Sequence, residues 1–262
     1  MSFASLGLSP ALVHATSELG FTAPTPIQSE AIPAVLRGAD VQAQAQTGSG
    51  KTAAYALPLL HQLARMPMGG YRRQLRALVL VPTRELAQQA GELLQDLAVR
   101  QAGPGGKPLR VQALYGGVSI NPQLLALRGG ADLMVATPGR LLDVVRHNGL
   151  QLDTLRQLVL DEADRLLDLG FADELAELLA LLPPQRQTLL FSATFPTAVQ
   201  SLADALLREP LRIRIDAQQQ TPAAIEQQLI GVDVNRRITL LQHLVEDKGW
   251  KQVLVFVASQ HG

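Results

Sequence analysis

Short runs rich in Val and Leu recur along most of the chain, at 77–81, 110–115, 132–136, 155–160 and 188–191, and they read as buried strands. Between them, 83–99, 123–128, 140–146, 172–182 and 197–208 repeat their apolar positions at helical spacing. Strands that alternate with helices predict a parallel sheet covered on both faces, hence a doubly wound α/β domain over residues 1–215.

The texture changes at 216–224, D-A-Q-Q-Q-T-P-A-A, which is polar, contains a proline and reads as a linker. Beyond it, 225–234 predicts a strand, 236–246 a helix and 252–257 (Q-V-L-V-F-V) a buried strand, one βαβ unit. The 38 residues from 225 to 262 fall below the roughly 40 that usually fold unaided, so this tail is expected to be the truncated opening of a second domain.

Composition adds exclusions. Of the 262 residues 47% are apolar and 18% charged, enough buriable surface to rule out a disordered chain. Lys plus Arg and Asp plus Glu are 23 each, so net charge says nothing about partners. Charge is uneven, however, with a net of +5 over 65–110 and −6 over 153–177. The absence of cysteine excludes disulfides and thiolate metal sites, and the five histidines show no metal-ligand spacing. Neither a signal-peptide pattern nor a long apolar span is present, so a cytoplasmic protein without membrane association is expected.

Two segments carry chemistry. A-Q-T-G-S-G-K-T, residues 45–52, matches the phosphate-loop pattern except that Ala45 replaces its first glycine, and it stands between an apolar segment and a helical stretch at 53–63, the context strand, loop, helix. Gly48 and Gly50 allow backbone N–H groups to turn onto an anion at a helix start, Lys51 brings a mobile charge, and the Thr52 hydroxyl suits Mg²⁺. L-V-L-D-E-A-D, 158–164, ends a buried strand with carboxylates at the sheet edge where ligands of such folds bind. The division expected there is Asp161 on the metal through water and Glu162 on the attacking water.

With further segments in order, the chain closely resembles a DEAD-box ATP-dependent RNA helicase, a bacterial one near the RhlE-like group. The segments are Phe3 with G-F-T-A-P-T-P-I-Q (20–28), P-T-R-E-L (82–86), Gly116-Gly117, T-P-G-R (137–140), Asp161-Glu162-Ala163-Asp164, S-A-T (192–194) and V-F-V-A-S (255–259). The resemblance implies a RecA-like fold. It implies an ATP site on Phe21, Thr25, Gln28, Gln46, Thr47, Gly48, Ser49, Gly50, Lys51 and Thr52, with Gln28 reading the adenine edge and Phe21 stacking on it. Lys51, Asp161 and Glu162 would be catalytic, with Mg²⁺ on Thr52 and Asp161. Without the resemblance, residues 25–28 read as a helix start with proline in its first turn.

The same resemblance implies that Pro82, Thr83, Arg84, Gly116, Gly117, Thr137, Gly139 and Arg140 grip the sugar-phosphate backbone of one RNA strand. Such contacts carry no sequence information, so binding is expected to be salt-sensitive and sequence-independent. Asp164, Ser192 and Thr194 would couple nucleotide state to unwinding, with both hydroxyls in reach of the Asp164 carboxylate. The H-R-x-G-R-x-x-R segment of the family's second domain does not occur, so the chain alone is expected to bind nucleotide without unwinding. A nucleotide-gated RNA clamp needs the same residues and stays open at this point.

Overall fold

In a computed structural model, residues 2–66, 73–147, 150–215, 226 and 228–257 are described. The chain forms two compact units, Met1–Ala217 and Gln218–Gly262.

Among its described residues the first unit is built on seven parallel strands: β1 (Val41–Gln44), β2 (Ala77–Leu80), β3 (Val111–Leu114), β4 (Leu133–Ala136), β5 (Gln157–Leu160), β6 (Gln187–Ser192) and β7 (Leu211–Arg214). Their order across the sheet is β3-β4-β2-β5-β6-β1-β7. Among the described residues nine helices flank them: α1 (Pro10–Glu18) and α2 (Pro26–Leu36) before β1, then α3 (Lys51–Arg65), α4 (Arg84–Ala102), α5 (Asn121–Leu127), α6 (Pro138–Arg146), α7 (Ala163–Asp168), α8 (Ala172–Leu181) and α9 (Thr197–Leu206). This is the doubly wound parallel architecture expected.

Strand alternation divides the core in two. Ala77 and Val79 of β2, Val135 of β4, Val159 of β5 and Phe191 of β6 face one layer, packed under α1 to α4. Leu78, Leu80, Met134, Leu158, Leu160 and Leu190 face the other, under α6 to α9. Both faces being apolar explains why these strands lack polar alternation. Register is set by pairs such as Val79↔Val135 and Val79↔Val159.

Local chemistry marks the element boundaries. Thr83 caps α4 by accepting the Leu86 N–H at 3.3 Å. Pro26 and Pro138 stand in the first turns of α2 and α6, where a missing N–H costs nothing. At the opposite edge of the sheet Asp132 accepts from Arg73, from Arg76 at 2.7 Å and from the Arg110 N–H at 2.8 Å, a buried clamp on the β3 and β4 starts.

Two expectations need revision. The strand expected at 155–160 starts at Gln157, because Arg156 and Gln157 N–H bond the carbonyl of Arg76 as the chain enters the sheet. Residues 41–44 form the strand that the context of the phosphate loop calls for, with Gln42 and Gln44 placed inside the sheet. In the second unit the helix forms, as α10 (Arg237–Asp247), but no strand occurs at 228–234 or 252–257. A strand exists only with a hydrogen-bonded neighbour, and none is available there among the described residues, so Leu254 and Phe256 remain exposed. The linker expected at 216–224 and Ala258-Ser259 lie outside the described residues. Among the described residues no helix is long and apolar enough to cross a membrane.

Candidate functional site

The loops that follow β1 to β6 all emerge at the carboxyl edge of the sheet, and every motif noted in the first unit from residue 45 onward lies on one of them. Across the edge the order is Gly116-Gly117 after β3, T-P-G-R after β4, P-T-R-E-L after β2, D-E-A-D after β5, S-A-T after β6 and the phosphate loop after β1. The acidic motif therefore separates a phosphate-loop side from a side made of three glycine- and arginine-bearing loops.

In the phosphate loop Gly48 and Gly50 take φ of 82° and 91°, and Gly50 is the N-cap of α3. A Cβ on Gly50 would lie 2.5 Å from Gln28 Nε2, so the position requires glycine on both counts. Gln46 and Thr47, both exposed, lead into Gly48, and the half-buried Ser49 lies between the two glycines. Lys51 is buried, its Nζ donating to the Ala45 carbonyl at 3.1 Å across the loop.

Gln28 is tied into this loop. Its Oε1 accepts the Thr25 N–H at 3.0 Å and its Nε2 donates to the Gly50 carbonyl at 3.1 Å. One N–H and one lone pair of the amide remain for another partner. The helix-start reading of 25–28 and the loop contact hold together, since the side chain that closes the α2 cap also reaches the phosphate loop. Thr25 Oγ1 is buried beside it with no hydrogen-bond partner. The Phe21 ring lies 6.3 Å from that of Phe3 at 33° and packs partly on the core.

Asp161 is buried, accepting the Glu162 N–H on Oδ1 at 2.9 Å and the Tyr55 hydroxyl on Oδ2 at 3.0 Å. Burial pushes its carboxyl up to about 6, against the opposing pull of the Lys51 charge and the Tyr55 hydroxyl. Burial and the Asp161 charge push the Tyr55 hydroxyl well above its ordinary value, keeping it a proton donor. Thr52 and Asp161 line one cavity of about 170 Å³ beneath Leu86 and Ala90 of α4.

Glu162 adopts φ 51° and ψ 53°, a left-handed conformation rare for a side-chain-bearing residue, and Arg165 Nη1 holds its Oε2 at 2.7 Å. Asp164 receives Thr194 twice on Oδ2, from N–H at 2.9 Å and from Oγ1 at 2.8 Å, while its own N–H donates to Ser192 Oγ at 3.1 Å. Burial raises the Asp164 carboxyl, but the Thr194 and Ser192 bonds outweigh it and hold it below the usual range.

On the other side of the edge, Pro82 and Thr83 lead into α4, and Arg84 lies over the Tyr115 ring at 5.2 Å. Gly117 has φ 77°. Thr137 is the buried N-cap of α6, and Gly139 and Arg140 follow in its first turn. Arg140 Nη2 donates to the Val118 carbonyl at 2.7 Å, its Nε stands 3.9 Å from Asp143 Oδ2 as an ion pair without a hydrogen bond, and its Nη1 is buried without a hydrogen-bond partner. Such donors cost stability unless a ligand satisfies them.

Sequence reasoning missed Tyr55, Arg165 and Tyr115. Tyr55 stands one helical turn beyond Lys51 and Thr52, and Arg165 three residues beyond Glu162, spacings that put each on its neighbour's face. No local signal marks Tyr115, whose partners Arg84 and Gln88 reach it only through the packing of α4 on β3.

Comparison with known proteins bears on the whole arrangement. Residues 25–202 match the DEAD/DEAH box helicase family. The chain is 41% identical over 260 residues to the RNA helicase CrhR of Synechocystis sp., covering 99% of this chain and 50% of that protein. It is 39% identical over 261 residues to the DEAD-box ATP-dependent RNA helicase RhpA of Helicobacter pylori, with 99% and 50% covered. The crystal structure of a DEAD box protein from Methanococcus jannaschii superposes with TM-score 0.73 at 35% identity, covering 95% of this chain and 64% of that one. The chain thus spans about half the length of the curated relatives it matches. The family match takes in more than half of the chain and all the loops between the phosphate loop and S-A-T, and the chain belongs to the DEAD/DEAH box helicase family.

Proposed function

We propose that this chain is the ATP- and RNA-binding core of an ATP-dependent RNA helicase, with residues 1–215 as its first RecA-like domain and 225–262 as the start of a second. The observation that carries the reading is the order of loops along one sheet edge. A phosphate loop and a second group of anion-suited loops flank a shared acidic motif. Relatives named as helicases favour unwinding over a clamp that only binds.

The residues fit a nucleotide with Mg²⁺: Thr52 and Asp161 present oxygen donors to the same cavity, and the turned backbone of 46–50 at the α3 N-terminus suits phosphates. When bound, the metal would supply Lewis-acid stabilisation of phosphoryl charge. Lys51 offsets anionic charge in the loop, and Glu162, held by Arg165, orients the attacking water and takes its proton. Gln28 and Phe21 select adenine, the amide by hydrogen bonding and the ring by stacking. Thr25, Gln46, Thr47 and Ser49 complete the nucleotide-binding loops.

Pro82, Thr83, Arg84, Gly116, Gly117, Thr137, Gly139 and Arg140 bind the RNA backbone without reading sequence, a reading supported by the two Arg140 donors that lack a hydrogen bond and suit a phosphate oxygen. Asp164 with Ser192 and Thr194 couples the two sides. An equilibrium titration of the chain with fluorescent ADP and GDP tests the reading. ADP is expected to bind more than about tenfold tighter, with Gln28→Ala removing the preference and Lys51→Ala weakening both. Equal affinity for ADP and GDP would overturn the adenine assignment.

A further inference from the structure

Strand β3 ends the sheet and, among the described residues, pairs only with β4. Arg110 and Leu114 direct their carbonyls to the N–H groups of Leu133 and Thr137 on that side. Peptide groups alternate along a strand, so those of Val111, Ala113 and Tyr115 face the open edge. At Tyr115 a side chain already stands in for a neighbouring strand, since the Gln123 amide accepts the Tyr115 N–H at 3.3 Å and donates to its carbonyl at 3.1 Å. Among the described residues no corresponding partner meets Val111 or Ala113.

Beside these two residues runs a groove of about 530 Å³, walled by Val111, Ala113 and Tyr115 on one side and by Gln88, Glu92 and Asp96 of α4 on the other. Helix α4 comes close to the strand because Gly91 has no side chain, a Cβ there falling 3.2 Å from Ala113 Cβ. Glu92 and Asp96 are exposed and one helical turn apart, and no basic residue lines the groove. A nucleic acid strand would bring its phosphates against these carboxylates, so the charge favours a cationic occupant.

We propose that this groove docks an extended peptide segment of a protein partner, added as a strand on the edge of β3, with Lys or Arg at alternate positions turned toward Glu92 and Asp96. Side chains of an added strand alternate between faces, so every second one meets α4. Two free peptide groups supply up to about four main-chain hydrogen bonds, enough for a transient contact rather than a permanent one. The occupant would pack next to Tyr115, whose ring carries Arg84 and whose hydroxyl accepts from Gln88 Nε2 at 3.2 Å. The partner would thus touch the support of an arginine assigned above to RNA, although the docking itself does not depend on that assignment.

Amide NMR of the 262-residue chain titrated with acetyl-Lys-Val-Lys-Val-Lys-Val-amide tests the proposal. Saturable shifts are expected at Val111, Ala113 and Glu92, with slowed hydrogen exchange at the Val111 and Ala113 amides. The peptide with Glu in place of Lys is expected to bind at least about tenfold more weakly, as is the Lys peptide to Glu92→Gln/Asp96→Asn. No saturable shift up to about 2 mM peptide (a binding free energy near 4 kcal/mol), equal binding of the Glu peptide, or shifts centred away from β3 would overturn it.

Discussion

Thr194 makes two hydrogen bonds to a single oxygen of Asp164, at 2.9 and 2.8 Å, and so joins the end of β6 to the acidic motif after β5. Thr194→Val keeps the backbone bond and removes the hydroxyl one, at an expected cost of about 1 kcal/mol near neutral pH. The folded-state pKa of Asp164 is depressed, so the stability it contributes is present above the ordinary carboxylate value of about 3.9 and is lost as pH falls through the depressed value. Denaturant midpoints of both proteins from pH 7 downward should converge at the acid end.

Asp161 shows the opposite sign. Its carboxyl ionises near 6 in the fold, above the unfolded value of about 3.9, so its burial begins to cost stability above about pH 4 and costs most above about pH 6. Asp161→Asn should therefore stabilise the metal-free protein, by an amount on the order of 1–3 kcal/mol at pH 8 that vanishes below about pH 4. Thermal melts in EDTA across that range check the sign, and Mg²⁺-dependent nucleotide binding should be lost in the same variant.

His61 Nδ1 accepts the Ser9 N–H at 3.0 Å, fastening the residue before α1 to α3. Burial, with the nearby Arg65 charge, makes the imidazole harder to protonate than in the unfolded chain. The unfolded state therefore takes up the proton first, and stability should fall as pH drops below about 6.5 toward the lowered folded value. His61→Gln, which offers a neutral acceptor, should flatten melting temperature against pH between about 7.5 and 5.5.

Gly50→Ala tests the phosphate loop without touching charge. The new Cβ meets Gln28 Nε2 and is held at a φ of 91°. A loss of about 1–3 kcal/mol in stability is expected, and nucleotide affinity should fall by more than about tenfold, as measured by calorimetry.

Arg140→Met should weaken binding to every single-stranded RNA by a similar factor and lower the salt slope by about one counterion. Fluorescence anisotropy at several salt concentrations reads both. A loss confined to one RNA sequence would argue against a backbone contact.

Much of the site was legible because phosphate loops, acidic strand ends and glycine turns are local devices. Gly48, Gly50, Asp161 and the Gly116-Gly117 turn carry their meaning within a few residues. The strand at 41–44 was legible from the loop and helix that follow it and not from its own pattern, because its polar positions find distant partners, with Gln42 Nε2 donating to Gln200 and Gln44 Nε2 to the Ala193 carbonyl. The strands expected at 225–234 and 252–257 show the converse, since apolar run and β-propensity do not supply a ladder partner.

The sequence alone determined the alternation of strand and helix, the apolar character of both sheet faces and the positions of the glycine-bearing and acidic loops, all of which depend on residues close together in the chain. Only the tertiary structure decided the strand order, which sets D-E-A-D between the phosphate loop and the arginine-bearing loops. It alone brought Tyr55 to Asp161, 106 positions away, and Thr194 to Asp164. The physical reason is that periodicity specifies which face of a strand is buried, whereas the neighbour of a parallel strand is chosen by crossover connections and by packing against helices distant in sequence.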